Sequence, residues 1–303
     1  MLSEIKAHAK INLHLNVLNR REDSYHNIIS IMACVTFSDL LKLMEVRLDN
    51  RADGPVSIFI DPVNGLHDEI VKGMPLEENL VYKAAALYLN KAKKSGAVTF
   101  SLTKNIPSGA GLGGGSSDAA AALRLLNNHL DIFEESQLHA MAASLGADVP
   151  FCLQGGAALV EKTGEKLTSL SPPPFQGYVL LACPGIHVHT GKAYAALNRE
   201  NGFPEHKAES IRNRLRILWD EGNLEKLARV LANDFEEFVF TAHPRVKDIY
   251  EELAGTDPIV TRMTGSGSTL FALYHTEAHA RSAGDFLSGK VDDIIITQFC
   301  DQG

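Results

Sequence analysis

Pro107-Ser-Gly-Ala-Gly-Leu-Gly-Gly-Gly-Ser-Ser-Asp-Ala-Ala120 sets five glycines in the seven residues 109–115, directly ahead of a run of strong helix formers. Glycine admits positive φ and lets a ligand approach the backbone with no Cβ in the way. At a helix N-terminus such a loop aims several N–H groups and the positive end of the dipole at one point, which is the chemistry of a phosphate cradle. An ordinary turn with a serine N-cap needs only one or two glycines, so five point to a ligand. Gly109, Gly111 and Gly114 formally spell the dinucleotide fingerprint G-x-G-x-x-G. That motif requires a strand before it and an acidic residue at the end of a second strand. Here Pro107 precedes the loop, and helical pattern follows over 117–128 and 134–145. The P-loop pattern fails, because no lysine follows the glycines.

Working outward, the N-terminal segment shows period-two alternation. Ile5, Ala7, Ala9, Ile11, Leu13, Leu15 and Val17 alternate with Lys6, His8, Lys10, Asn12, His14 and Asn16. That predicts a β-strand whose polar face carries Lys10 and Asn12 side by side. Further strands are predicted over 28–35, 39–46, 56–60 and 98–103. A helix is predicted over 80–94, with Leu80, Ala84, Leu87 and Lys91 on one side and Asn79 as its N-cap. The stretch Ser169–Gly177 contains Pro172, Pro173 and Pro174 and reads as a linker. Beyond it the pattern predicts strands over 178–183, 268–274 and 293–299. Helical spacing recurs around 211–218, 224–231 and 276–287. Strands and helices intermixed on both sides of one linker predict an α+β protein of two domains, 1–168 and 169–303.

Composition narrows the function by exclusion. The chain has 303 residues, 45% hydrophobic and 22% charged, with a formal net charge of −8. It is long enough to fold around its own core without disulfides or metal. The acidic balance argues against a nucleic-acid partner, and no apolar run reaches the ~18–20 residues of a membrane span. The cysteines, at 34, 152, 183 and 300, lack C-x-x-C spacing and suit reduced thiols. With no secretory pattern at the N-terminus, the expected location is cytoplasmic.

Other loops carry chemistry-bearing residues. Leu145-Gly-Ala-Asp-Val-Pro-Phe-Cys152 places Asp148 in a turn, either as an Asx cap or as a general base. Thr264-Gly-Ser-Gly-Ser-Thr269 is a second glycine turn, able to close the other side of an anion site. Arg20-Arg-Glu-Asp-Ser-Tyr-His-Asn27 gathers an aromatic, an imidazole and two cations. His187 and His189 lack a neighbouring carboxylate or cysteine and make a weak metal signal. Arg212, Arg214 and Arg216 read as a solvated helix face.

These motifs, in order, resemble the GHMP kinases, whose members include galactokinase, homoserine kinase and mevalonate kinase. Pro107–Ala120 resembles their phosphate loop and Thr264–Thr269 their third motif. Ala9-Lys-Ile-Asn-Leu13, Arg21-x-Asp-x-Tyr-His26, Glu78-Asn-Leu80, the Gly-Leu-Gly-Gly-Gly-Ser-Ser spelling and Gly146-Ala-Asp-Val-Pro-Phe151 are similar to the branch acting on a cytidine diphosphate-linked methylerythritol. The similarity runs from about Ala7 to Leu273. It implies a fold of an S5-domain-2-like N-terminal domain and a ferredoxin-like C-terminal domain. It also implies ATP and Mg²⁺, a small-molecule acceptor on the non-mevalonate route to isoprenoid precursors, and a monomer or weak homodimer. Lys10 and Asp148 then match the catalytic pair. Asn79, Lys104, Pro107, Gly109, Gly111, Gly113, Gly114, Gly115, Ser116 and Ser117 match the ATP side, with Ser117 the expected Mg²⁺ ligand. Asn12, Tyr25, His26, Thr190 and Tyr194 match the acceptor side, and Gly265, Ser266 and Gly267 the third motif. Asn19 and Ser24 stand where the family usually has glycine.

Overall fold

The structure, a computed structural model, describes residues 1–49, 54–199 and 203–300. The alternating segment forms β1 (Ser3–Arg20), which turns at 21–25 into β2 (His26–Asp49). The polar face of β1 is not exposed to solvent: Lys10, Asn12 and His14 are buried. Strands β3 (Val56–Pro62) and β4 (Ser95–Thr103) follow, separated by helices α1 (Asp68–Gly73) and α2 (Leu80–Lys91). Asn79 caps α2 by accepting from the Val81 amide at 2.8 Å. The buried face of α2 is Val81, Ala84, Ala85, Tyr88 and Leu89; of the predicted side Leu80, Ala84, Leu87 and Lys91, Ala84 alone is buried. The true core stripe is thus rotated by about one residue, or ~100° of helix.

Where the sequence predicts two strands, at 28–35 and 39–46, the chain makes one. Its first half pairs with β5 (Ala157–Lys162) and its second half with β4 on one edge, while β1 runs along its other edge over 26–43. The change of partner, not a turn, explains the interruption at Thr36–Ser38: Thr36 N instead donates to Gln298 O. The first sheet has the order β3-β4-β2-β5-β6, where β6 is Lys166–Ser169, and β1 joins it through β2. Helices α3 (Gly114–Leu130), α4 (Glu135–Leu145) and α5 (Val149–Gln154) pack on it with α2. The last is an unpredicted helix, which Pro150 starts in its first turn, where a missing N–H costs nothing.

The second sheet begins at β7 (Tyr178–Cys183). The chain then runs through α6 (Thr190–Ala196), α7 (Glu205–Asp220), α8 (Leu224–Ala228), α9 (Glu236–Ala242) and α10 (Pro244–Ala254). β8 (Val260–Met263), β9 (Leu270–Tyr274), α11 (Glu277–Leu287) and β10 (Asp293–Thr297) complete it. All its pairs are antiparallel, in the order β10-β7-β9-β8, a ferredoxin-like arrangement. The proline stretch between the sheets is pinned and does not act as a free spacer. Trp219 Nε1 donates to Ser171 O at 3.0 Å, and Phe175 meets Phe299 edge-on. One apolar cluster joins Ala9, Ile11 and Ile31 of the first sheet to Val179, Leu181, Phe271 and Trp219. Burial of this kind, worth roughly 25 cal/mol per Å² of apolar surface, fixes the cleft between the two sheets.

Candidate active site

Two cavities meet at the glycine loop, the larger of them in that cleft. The larger, about 690 Å³, is lined by Lys10, Asn12, Tyr25, His26, Asp148, Thr190, Tyr194, Gly265 and Ser266, among others. The smaller, about 420 Å³, is lined by Asn79, Lys104, Pro107 and the loop through Ser116. Gly109, Gly111, Gly113 and Ser116 line both. The loop therefore has the shape of a bridge between two ligands.

Its glycines are demanded at specific atoms. Gly113 is the N-cap of α3 with φ +70, and a Cβ there would meet Lys10 Cγ at 2.9 Å. At Gly111, φ is +78 and a Cβ would fall 2.7 Å from Thr264 O. Glycine thus lets β1 and the second glycine turn close onto the loop from both sides. The backbone bond from Lys10 N to Leu112 O, 2.9 Å, fixes the strand against it. α3 has 17 residues, and its N-terminal N–H groups and dipole face this junction.

Beneath the loop lies a buried ionic cluster. Lys104 Nζ donates to Asp39 and, at 2.8 Å, to Asp118. Asp39 Oδ1 also accepts from the amides of Asn105 and Ile106, at 2.5 and 2.8 Å. One carboxylate thereby fixes the start of the loop, while Lys104 ties it to the first turn of α3. Burial pushes Asp118 up to about 7, with Lys104 opposing the rise and Asp39 adding to it. For Lys104, burial works against its charge and the Asp118 and Asp39 carboxylates outweigh it, so its pKa is raised. The Lys104 ammonium is thus bound to protein carboxylates, although its side chain lines the smaller cavity.

Ser117, expected at the metal, is turned away from both cavities. Its hydroxyl donates to His8 O at 2.7 Å, and the residue is buried. Ser116 is the serine that faces both ligand spaces.

On the other side of the bridge, Lys10 Nζ lies 3.3 Å from Asp148 Oδ2 and donates to Asn12 Oδ1 at 2.7 Å. Asp148 stands at the N-cap of α5, and the peptide turn of Gly146 holds it there through Val149 N–Gly146 O, 3.2 Å. Asn12 Nδ2 donates to Ser30 Oγ at 2.8 Å, so both ends of its carboxamide are engaged by protein atoms. Asn12 N donates to Thr264 Oγ1, which attaches the second glycine turn to β1. That turn is also braced by Asn233, whose Nδ2 donates to Met263 O and Gly265 O. Thr190 Oγ1 and Ser266 Oγ are 2.9 Å apart.

The far end of the larger cavity is aromatic. His26 stacks on Tyr194 with centroids 4.9 Å apart and planes at 26°, and Phe235 meets Tyr194 edge-on at 4.8 Å. Burial, with a smaller contribution from Arg20, lowers the His26 pKa and keeps the ring neutral, one nitrogen a donor and the other an acceptor. Burial, and then Asp148, pushes the Tyr194 phenol up to about 12. Tyr25 is 64% exposed at the rim. Ser24 carries φ +68, a left-handed conformation that costs an L-residue about 1–2 kcal/mol. Asn19 sits in extended β1 and accepts from Asn27 Nδ2 at 3.1 Å.

The sequence reading passed over Ser30, Asp39, Asp118 and Asn233 as parts of this assembly. Ser30 had a signal: a polar residue inside the apolar run Ile28–Val35. A buried polar side chain needs a partner, so its presence there marks a fixed hydrogen bond. Asn233, more than 200 residues from Asn12, had none.

A kinase with a glycine loop between nucleotide and acceptor spaces is the class that this geometry defines, and known families agree. The model for the GHMP kinases N terminal domain matches residues 79–156, and that for the GHMP kinases C terminal matches 208–293. A relative from Caldicellulosiruptor bescii, named 4-diphosphocytidyl-2-C-methyl-D-erythritol kinase, is 34% identical over 299 residues, covering 98% of each chain. One from Clostridium botulinum with the same name is 33% identical, covering 97% of this chain and 98% of the relative. A crystal structure of 4-(cytidine 5'-diphospho)-2C-methyl-D-erythritol kinase superposes with a TM-score of 0.76 at 32% identity, over 99% of this chain and 100% of that one. Homoserine kinase from Cytophaga hutchinsonii shares the fold, with a TM-score of 0.75 at 20% identity over 99% of this chain and 95% of that one. The chain belongs to the GHMP kinases and, among them, to the family of these diphosphocytidyl-methylerythritol kinases. Among the described residues, no helix is long and apolar enough to cross a membrane.

Proposed function

We propose that this protein transfers the γ-phosphoryl group of ATP to the 2-hydroxyl of 4-diphosphocytidyl-2-C-methyl-D-erythritol. The observation that carries the reading is the Lys10–Asp148 pair, set at the rim where the two cavities share Gly109, Gly111, Gly113 and Ser116. ATP takes the smaller cavity, with adenine toward Asn79 and Leu80 and the phosphates on the loop and the α3 N-terminus. The cytidine end takes the larger one, where Tyr194 and Tyr25 offer faces for the base and neutral His26 offers a donor and an acceptor to its edge. Thr190 and Ser266 stand along the path of the acceptor's phosphates.

Phosphoryl transfer passes through a loose transition state and is catalysed mainly by positioning and charge stabilisation. Lys10 places its ammonium where charge gathers on the transferring oxygens. Asp148, 3.3 Å away, accepts the proton of the attacking hydroxyl.

Among the described residues no group of three or more His, Cys, Asp or Glu side chains is arranged to hold a metal. Of the residues lining both cavities Ser116 carries the oxygen side chain, and Asp148 lines the larger one. That set fits Mg²⁺ arriving on the nucleotide and keeping mostly phosphate and water ligands, as this ion prefers. Bound there, Mg²⁺ supplies neutralisation of the phosphate charge. Ser116, not Ser117, is the hydroxyl we assign to it.

The test is coupled ADP release from Mg-ATP with the diphosphocytidyl acceptor, mevalonate and homoserine offered in parallel. Turnover with the first alone is expected. Turnover with either of the others and none with the first overturns the assignment.

A further inference from the structure

The geometry points to Ser30 as a positioning residue for phosphoryl transfer, acting through Asn12 on Lys10. Ser30 lies on β2 with no exposed surface, across the sheet from the polar face of β1. Its hydroxyl has one proton, and that proton is spent: Ser30 Oγ donates to His14 O at 2.6 Å. The oxygen is therefore left only as an acceptor toward Asn12, and it takes the Nδ2 hydrogen at 2.8 Å. This decides which way the Asn12 carboxamide faces. With Nδ2 on Ser30, Oδ1 must point to the opposite side, where it accepts from Lys10 Nζ at 2.7 Å. A flipped amide would set an NH₂ against an ammonium and leave the serine lone pairs facing a carbonyl oxygen.

The chain from His14 O through Ser30 and Asn12 to Lys10 thus has a single consistent direction. It holds the ammonium 3.3 Å from Asp148 Oδ2. A lysine has four rotatable side-chain bonds and no directional preference at its head, so without an acceptor of fixed position its charge wanders. Displacements of about 1 Å are enough to cost on the order of 10²-fold in rate. Asn12, which resemblance placed toward the acceptor, is through this chain a group that aims the catalytic lysine. Ser30 is the residue that aims Asn12. Neither hydrogen bond involves the nucleotide or acceptor, so the effect belongs to turnover rather than to binding.

This inference rests on the kinase reading above, and its test separates the two. Ser30→Ala, Asn12→Ala and the double variant are compared with the parent by steady-state kinetics. Ser30→Ala is expected to lower kcat about tenfold with KM for both substrates within twofold, and the loss should vanish in the Asn12→Ala background, as coupled residues require. Ser30→Cys keeps the volume but only a weak donor and acceptor, and serves where alanine does not fold; its kcat should fall as well. A tenfold loss that persists without Asn12, a kcat unchanged by Ser30→Ala, or full activity in Ser30→Cys overturns the proposal. Crystal structures of parent and Ser30→Ala decide it without turnover. Lys10 Nζ should leave its contact with Asn12, and an unchanged contact overturns the inference even if the acceptor assay succeeds. A parent inactive on the diphosphocytidyl acceptor overturns the function reading alone.

Discussion

The polar face of β1 and the turn at 21–25 lie within one hairpin, yet the chain builds them on opposite principles. Lys10, Asn12 and His14 are nearly without exposed surface, and each is fixed by neighbours from other segments: Asp148, Ser30, Thr264 and Ala232. The turn has mostly local partners. Arg21 pairs with Asp23, Asp23 Oδ1 accepts from Tyr25 N, and Tyr25 lies open at the rim. The difference teaches where each kind of work is done. Chemistry needs groups held before the ligand arrives, whereas recognition of a flat base is completed by the base itself.

That contrast breaks most sharply at Lys10. Lys10→Ala should reduce kcat by on the order of 10²–10³, with nucleotide affinity changed only a few-fold; equal turnover in a coupled ADP assay removes Lys10 from the catalytic role. At the other pole, Tyr194→Ala deletes a stacking face, and base–aromatic stacking is worth about 1–3 kcal/mol. The acceptor KM should rise about tenfold or more while the KM for ATP stays level, and an unmoved acceptor KM separates Tyr194 from the base.

A third effect is one of pH on stability. Burial lowers the His14 pKa from 6.5, against a hydrogen bond to Asn16, and its Nδ1 accepts from Ala232 N at 3.1 Å. The folded state therefore binds this proton less readily than the unfolded chain. Stability from neutral His14 is complete above pH 6.5 and is lost as pH falls from there through the lowered pKa. Thermal unfolding scans between pH 7 and 5 should show a drop in Tm that is smaller in His14→Gln; equal drops exclude His14 as the source. The smallest effect belongs to the turn. Ser24→Gly relieves the φ of +68 but frees the unfolded chain, for a net gain below about 1 kcal/mol. A small rise in Tm with unchanged kcat fits, and a fall means that the Ser24 hydroxyl does more than fill the position.

Much of this was written in the sequence where the signal is local. Period-two alternation placed Lys10 and Asn12 on one face, and the density of glycine marked the loop that leads into α3 and lines both cavities. Asn79 announced itself as a cap by type and position. What escaped was decided by distant contact. Nothing near Ser117 shows that its hydroxyl is taken by His8 O, 109 residues away. The helix at 149–154 hid behind a proline that usually signals a turn. The face of α2 was misread by one position because Leu80 and Leu87 pack only partly, while Val81, Ala85 and Tyr88 join the predicted Ala84 in the fully buried places.

β2 has a consequence for substrate choice. His26 opens this strand and Ser30 follows it four residues on, a span of about 13 Å of extended backbone. Paired on both sides, with β1 and β5, that backbone resists stretching. It acts as a gauge beside the larger cavity, which His26 lines at one end, while Ser30 bears through Asn12 on Lys10 at the other. On the proposed function, the acceptor is then read by its length as well as by its groups.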